Sequence, residues 1–128
     1  MTPRSRILVV EDDDPSREVM ALALQDGGYA VDLVEDGAAA LARAAAAPPD
    51  LVVLDLRMPV LDGAGFLRAY RARPGPRVPV LLVTAATNPA AAGAELDVDA
   101  VLAKPFDLTE LYRTIEELLR TRPKADRP

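Results

Sequence analysis

The sequence predicts an α/β fold, a single domain built on a doubly wound, mostly parallel sheet, and two observations carry this prediction. Five short runs of apolar, β-favouring residues alternate with five helical patterns along the 128-residue chain. The connections between them are short, which favours right-handed βαβ units. Strands are expected at residues 6–10, 29–34, 50–55, 78–85 and 100–103.

The first strand and helix have clear start and stop signals. RILVV (6–10) is a continuous apolar run after its leading Arg. Asp14 is the expected N-cap of the helix that follows, and Pro15 suits its first position, where no backbone donor is missed. Gly27 and Gly28 are expected to end this helix.

The next two strands differ in the burial that they predict. YAVDLV (29–34) alternates apolar and polar residues, as a strand at a sheet edge does. DLVVLD (50–55) is apolar between its terminal aspartates, so it belongs at the centre of the sheet with both faces covered. Between them, an alanine-rich helix at 37–47 is stopped by Pro48 and Pro49.

The second half of the chain continues the alternation with one weak element. Asp62 is expected to cap the third helix, and VPVLLVTA (78–85) is the fourth strand. Residues 87–99 form a poor helical pattern, because Gly93 weakens a helix that Asn88 and Pro89 could start.

The last helix has the clearest signals. Asp107 stands at the expected N-cap with Glu110 three residues later, which is the spacing of a capping box. One apolar stripe is expected to face the core, formed by Leu108, Leu111, Ile115, Leu118 and Leu119. We expect the domain to span residues 6–120, after an N-terminal extension at 1–5 and before a flexible tail or the start of a linker at 121–128.

The composition excludes several classes of protein. There is no Cys and no His, so disulfides, thiolate chemistry and the commonest metal ligand and general base are absent. A net charge of −5 argues against a nucleic-acid-binding domain. No apolar run approaches the length of a membrane span, and the N-terminus does not resemble a secretory signal. We expect a soluble, cytoplasmic, acidic domain that contacts neither nucleic acid nor membrane directly.

The residues whose side chains could bind a ligand or react lie where the strands end, which is where doubly wound sheets bind ligands. They are Glu11 and Asp12 after the first strand, Asp55 on the third, Thr84 on the fourth and Lys104 after the fifth. Each one alone has an ordinary structural explanation, such as helix capping or a solvated charge. Together, the carboxylates repel one another and favour a bound cation, for which oxygen ligands indicate Mg²⁺. A nearby amine and hydroxyl can bind a phosphoryl group, and a carboxylate can form an acyl phosphate.

These motifs, namely ILVVED, LDLRMPVLDG, Thr84-Ala85 and Lys104-Pro105-Phe106, resemble the receiver domain of two-component response regulators. The resemblance covers about residues 5–120. It implies a flavodoxin-like (βα)5 domain with a parallel five-stranded sheet in the order 2-1-3-4-5. It also implies phosphorylation of Asp55 by a histidine kinase or a phosphotransfer protein, in a domain that acts as a switch and not as an enzyme on other molecules.

The same resemblance implies a ligand set for Mg²⁺. Asp12 and Asp55 would bind the ion directly, Glu11 would bind it through water, and the backbone carbonyl of Arg57 would complete the protein ligands. The acidic pair could also be counted as Asp12 and Asp13. Glu11 and Asp12 are preferred because ILVVED runs on directly from the strand.

The fifth strand departs from the family pattern. The resemblance implies that Thr84 and Lys104 contact the phosphoryl oxygens and that the bond between Lys104 and Pro105 is cis. The position three before Lys104 usually holds an aromatic residue whose rotation relays phosphorylation, but here it is Val101. A β-branched aliphatic side chain cannot make that rotation. Our hypothesis is that the fourth helix is short or mobile, and that signalling runs through its order or through dimerisation.

Other functions and partners remain open at this point. A phosphatase or phosphotransferase with an Asp nucleophile requires a second acid at the position of Arg57. A flavodoxin-like nucleotide binder requires a phosphate-binding loop after the first strand, where this chain is acidic. A pseudo-receiver that is never phosphorylated is supported by the missing aromatic. Members of the family commonly form homodimers through the face made by the fourth helix, fifth strand and fifth helix. Tyr112, Arg113 and Glu116 could line that face.

Overall fold

The computed structural model describes residues 4–55, 61–74 and 77–120. The strands are β1 (Arg6–Val10), β2 (Ala30–Val34), β3 (Leu51–Asp55), β4 (Val80–Thr84) and β5 (Ala100–Ala103). The helices are α1 (Asp14–Asp26), α2 (Gly37–Ala46), α3 (Leu61–Ala72), α4 (Pro89–Leu96) and α5 (Leu108–Arg120). Strand and helix alternate along the whole domain, as the sequence predicts.

The five strands form one parallel sheet in the order β2-β1-β3-β4-β5, which confirms the predicted fold class. Every residue of β3 is buried because the strand has neighbours on both sides and helices on both faces. β2 lies at one edge and keeps only its last residue fully buried. The alternating pattern of β2 and the continuous pattern of β3 thus predicted their positions in the sheet.

The core consists of two layers, one on each face of the sheet. Successive strand residues point to opposite faces, so Leu8 and Val10 belong to one layer while Ile7 and Val9 belong to the other. The first layer packs under α2, α3 and α4, and the second packs under α1 and α5. In the part of the chain that the structure describes, every helix falls short of the length and hydropathy that a membrane span requires.

Two helix starts differ from the sequence prediction. The N-cap of α1 is Asp13 and not Asp14, because the Asp13 carboxylate accepts hydrogen bonds from the Ser16 backbone N at 3.1 Å and from Ser16 Oγ at 2.7 Å. The helix α3 begins at Leu61, so Asp62 lies in its first turn and the prediction of a cap there is wrong. In the acidic run at 11–14, several residues can cap in principle, and the hydrogen bonds from Ser16 identify Asp13 as the cap.

The helix α4 forms despite its weak pattern and is 8 residues long. Its cap is Asn88, whose side chain accepts a hydrogen bond from Ala91 N at 3.2 Å. At the other end, Arg71 from α3 donates to the carbonyls of Leu96 and Asp97 at 2.8 and 2.6 Å. Contacts from neighbouring elements therefore compensate for the low intrinsic stability of this segment.

The capping box of α5 is confirmed. Asp107 Oδ1 accepts from Glu110 N at 2.8 Å, and Glu110 Oε1 accepts from Asp107 N at 3.3 Å. Leu111 and Ile115 of the predicted stripe are buried, but Leu108, the first residue of α5, is 51% exposed. The predicted tail at 121–128 lies outside the described residues, as do residues 1–3.

Candidate functional site

The sheet brings the predicted chemical residues to one edge. Asp55 is the last residue of β3 and Thr84 is the last residue of β4, while Glu11 and Lys104 directly follow β1 and β5. The register places Asp55 beside Val83 of the neighbouring strand. Because the strands are parallel and their carboxyl ends are aligned, side chains that are up to 93 residues apart in sequence lie at the same edge.

Asp55 and Lys104 form an ion pair at the centre of this edge. Lys104 Nζ lies 2.6 Å from Asp55 Oδ1, and the two side chains are 26% and 4% exposed. Despite the short distance, Asp55 Oδ1 has no partner with hydrogen-bond geometry. Asp55 is thus a buried carboxylate with a positive charge directly beside it.

Glu11 is completely buried next to this pair, and three contacts fix it. Its N–H donates to Val34 O at 3.0 Å, its Oε1 accepts from Asp13 N at 2.8 Å, and its carbonyl accepts from Arg17. Its second oxygen, Oε2, is buried without a hydrogen-bond partner. Burial, and after it the interaction with Asp55, raises the pKa of Glu11 to about 8.

The donor set at this edge fits a hard divalent cation in part. Glu11 and Asp55 are both buried, and Glu11 Oε2 has no hydrogen-bond partner, which a cation would supply. Asp55 Oδ1 already has Lys104 Nζ beside it. Asp12 is exposed, and its carboxyl group lies close enough to contribute to the raised pKa of Glu11. Among the described residues, no group of three or more acidic side chains has the spacing to hold a metal ion. The predicted carbonyl ligand of Arg57 lies outside the described residues.

Thr84 and Lys104 are linked through the backbone at the ends of β4 and β5. Thr84 O accepts from Lys104 N at 2.8 Å, and Thr84 Oγ1 accepts from Ala86 N at 3.0 Å. The peptide bond between Lys104 and Pro105 is cis, as the family resemblance implied. The hydroxyl and the amine therefore lie on two adjacent strand ends that are held together directly.

Sequence reasoning missed Arg17 as a residue of this region. It lies in α1 and donates through Nη1 to the carbonyl oxygen of Glu11 at 2.9 Å. A basic residue one to two helical turns after a run of four acids is the signal that could have identified it.

Val101 packs against α4 and not into open space. A Cβ atom added at Gly93 would come within 2.2 Å of Val101 Cγ2, so the bare backbone of Gly93 makes room for this side chain. Where the family usually has an aromatic residue, this chain therefore has a close contact between β5 and the middle of α4.

One residue expected at a dimer face has a different place. The hydroxyl of Tyr112 donates to Ala23 O in α1 at 2.7 Å, and its ring lies over Gly27. Burial, and after it the carboxylate of Glu116, raises the pKa of Tyr29, so Glu116 also lies near the end of α1. Tyr112 is thus half-buried and bound to α1, while a dimer face that includes it stays a prediction.

Comparisons with known proteins agree with this geometry. The family model described as the response regulator receiver domain matches residues 7–116. The response regulator MprA of Mycobacterium avium is 42% identical over 124 residues, which cover 94% of this chain and 54% of MprA. The alkaline phosphatase synthesis transcriptional regulatory protein SphR of Synechococcus elongatus is 41% identical over 130 residues, with 93% and 50% covered. The chain spans about half the length of the curated relatives it matches.

Solved structures extend the similarity to three dimensions. The receiver domain of sensor histidine kinase PA1611 from Pseudomonas aeruginosa PAO1, which has a magnesium ion coordinated in its active site cleft, matches with a TM-score of 0.81 at 34% identity, covering 93% of this chain and 100% of that one. Chemotaxis protein CheY4 of Vibrio cholerae matches with a TM-score of 0.77 at 31% identity, with 91% and 99% covered.

Proposed function

Since the chain belongs to the family of response regulator receiver domains, we propose that it accepts a phosphoryl group on Asp55 in a Mg²⁺-dependent reaction. The donor is a histidine kinase or a phosphotransfer protein of a two-component system. The domain is a phosphoacceptor switch and not an enzyme that acts on other molecules. A cytoplasmic location, expected from the sequence, belongs to this proposal.

The observation that carries the proposal is the buried carboxylate of Asp55, 2.6 Å from Lys104 Nζ and beside the buried Glu11. An oxygen of Asp55 attacks the phosphorus, and the new O–P bond forms as the P–N bond to the donor imidazole breaks. The leaving nitrogen keeps the electron pair. Lys104 would then neutralise charge on the transferred group, and the hydroxyl of Thr84 would donate a hydrogen bond to one of its oxygens.

We assign the Mg²⁺ site to Asp12, Asp55, Glu11 through water, and the backbone carbonyl of Arg57. The burial of the Glu11 and Asp55 carboxylates, and the Glu11 oxygen without a hydrogen-bond partner, support this assignment. When bound, the ion supplies positive charge that lets the carboxylates stay ionised together and that offsets the charge of the phosphoryl group.

The proposal is tested by the intact mass of the protein after incubation with acetyl phosphate and Mg²⁺. We expect a gain of one phosphoryl group, with acetate as the leaving group, that is absent in Asp55→Asn and in the presence of EDTA. Lys104→Gln is expected to take up the group much more slowly while it remains folded. Wild-type protein that gains no mass under any condition would favour the alternative, a phosphorylation-independent pseudo-receiver.

A further inference from the structure

Arg17 connects three separate elements beside the candidate metal site. Its Nη1 donates to Glu11 O at 2.9 Å after β1, and its Nη2 forms an ion pair with Asp14 in the first turn of α1. Its Nη1 also lies 3.9 Å from Glu35 Oε2, just after β2. The Arg17 side chain is 17% exposed, although Asp14 and Glu35 are 80% and 69% exposed. The guanidinium is therefore held inward, against the backbone of Glu11, while its two acidic partners face the solvent.

The contact matters because of how Glu11 is oriented. Glu11 is completely buried, and its backbone N–H and its Oε1 are bound by backbone groups of β2 and of Asp13. The carbonyl oxygen of Glu11 accepts its hydrogen bond from Arg17, which is a side-chain donor, unlike the backbone groups that bind the rest of Glu11. With these groups bound, Oε2 is the oxygen left without a hydrogen-bond partner. A fixed backbone at Glu11, together with the bond from Asp13 N to Oε1, thus determines where this free oxygen points.

We propose that Arg17 is a positioning residue for the Mg²⁺ site, which it serves by holding the backbone of Glu11 and thereby the direction of the Glu11 carboxylate. This inference rests on the proposed function. Asp14 and Glu35 have two roles in it, since they hold the guanidinium in place and they offset its charge next to a site for a cation. Arg17 does not contact the reacting atoms, so its effect on phosphorylation is indirect.

Electrostatics and positioning predict opposite results when Arg17 is replaced. Removing a positive charge from an acidic region raises the affinity of that region for a divalent cation, because a repulsion is lost. Removing an outer contact that orients a ligand lowers metal affinity, commonly by 10- to 100-fold, and a contact through the backbone lies at the low end. For Arg17→Gln we therefore expect the dissociation constant of Mg²⁺ to rise about tenfold.

The experiment is a Mg²⁺ titration of Arg17→Gln, Arg17→Lys and the wild type, monitored by amide NMR chemical shifts. The temperature is kept well below the midpoint of thermal unfolding of each variant. Arg17→Lys keeps the positive charge and a single donor nitrogen but loses the planar, forked guanidinium, so it is expected to recover part of the lost affinity. Arg43→Gln is the matched control, because Arg43 is an exposed arginine of α2 that lines the same surface groove as Arg17. We expect its Mg²⁺ affinity to be unchanged or slightly higher.

Unchanged or tighter Mg²⁺ binding in Arg17→Gln would overturn the inference, and so would a wild type that binds no Mg²⁺. A lower midpoint of thermal unfolding together with wild-type Mg²⁺ affinity would also overturn it, since Arg17 would then be structural only. Failure of the proposed function is distinguishable. Wild-type protein that binds Mg²⁺ but takes no phosphoryl group from acetyl phosphate would contradict that function, while the titration would still decide the role of Arg17.

Discussion

The contact between Gly93 and Val101 gives the sharpest prediction, because one added methyl group meets a specific obstacle. A Cβ at position 93 would lie 2.2 Å from Val101 Cγ2, far inside van der Waals contact, and 3.4 Å from Val98 Cγ2. Val101 is β-branched and lies in β5, so its χ1 angle has few alternatives. We expect Gly93→Ala to displace α4 or to force Val101 out of its rotamer.

The magnitude follows from two opposing effects. Overpacking of a well-filled site costs about 1–3 kcal/mol, whereas replacing Gly with Ala in a helix gains about 1 kcal/mol. The net expectation is a loss of about 1 kcal/mol in the free energy of unfolding. Without the obstacle, only the gain would remain. Val101→Ala removes Cγ2, so Gly93→Ala should become stabilising by about 0.5–1 kcal/mol in that background.

The assay is urea unfolding of the wild type, the two single variants and the double variant, analysed as a double-mutant cycle. The matched control is Gly65→Ala, because Gly65 is an exposed glycine of α3 with no atom within 4 Å of its added Cβ. That control should gain stability from helix propensity alone. If Gly93→Ala had the same effect with and without Val101, the reasoning about this contact would be refuted.

Three further predictions concern single groups. In EDTA, the contribution of Glu11 to stability is fully present below its unfolded-state pKa of 4.5 and is lost as the pH rises through its folded-state value of about 8. The unfolding free energy of the wild type, compared with Glu11→Gln, should therefore fall by up to about 1.4 kcal/mol per pH unit in this window, and parallel curves for the two proteins would contradict it. Tyr112→Phe removes the hydrogen bond to Ala23 O and should cost about 1 kcal/mol in urea unfolding, with no change in phosphoryl uptake; a stability equal to the wild type would count against this bond. Asp13→Ala removes the cap that Ser16 donates to and should cost about 1 kcal/mol in thermal or urea unfolding, and no loss would mean that another acid caps α1.

The class of fold and the edge at which the candidate site lies follow from local patterns along the chain. The continuous apolar run at 51–54 can be satisfied only with both faces covered, so β3 had to be central. Parallel strands end on the same edge, so Asp55, Thr84 and Lys104 could be placed together without a structure. The capping box of α5 was predictable because its two residues are neighbours along the helix.

The features that depend on distances between elements could not be predicted from the chain and became visible in the folded domain. Glu11 is completely buried with a raised pKa because of the elements packed around it, and the sequence shows only four acids in a row. Gly93 reads as a helix breaker along the chain, but it is the residue that admits Val101 from β5. Arg17 reads as a surface charge, yet its guanidinium reaches the backbone of Glu11. Local patterns report which residues are adjacent along one element, and the packing of different elements fixes the contacts that orient a site.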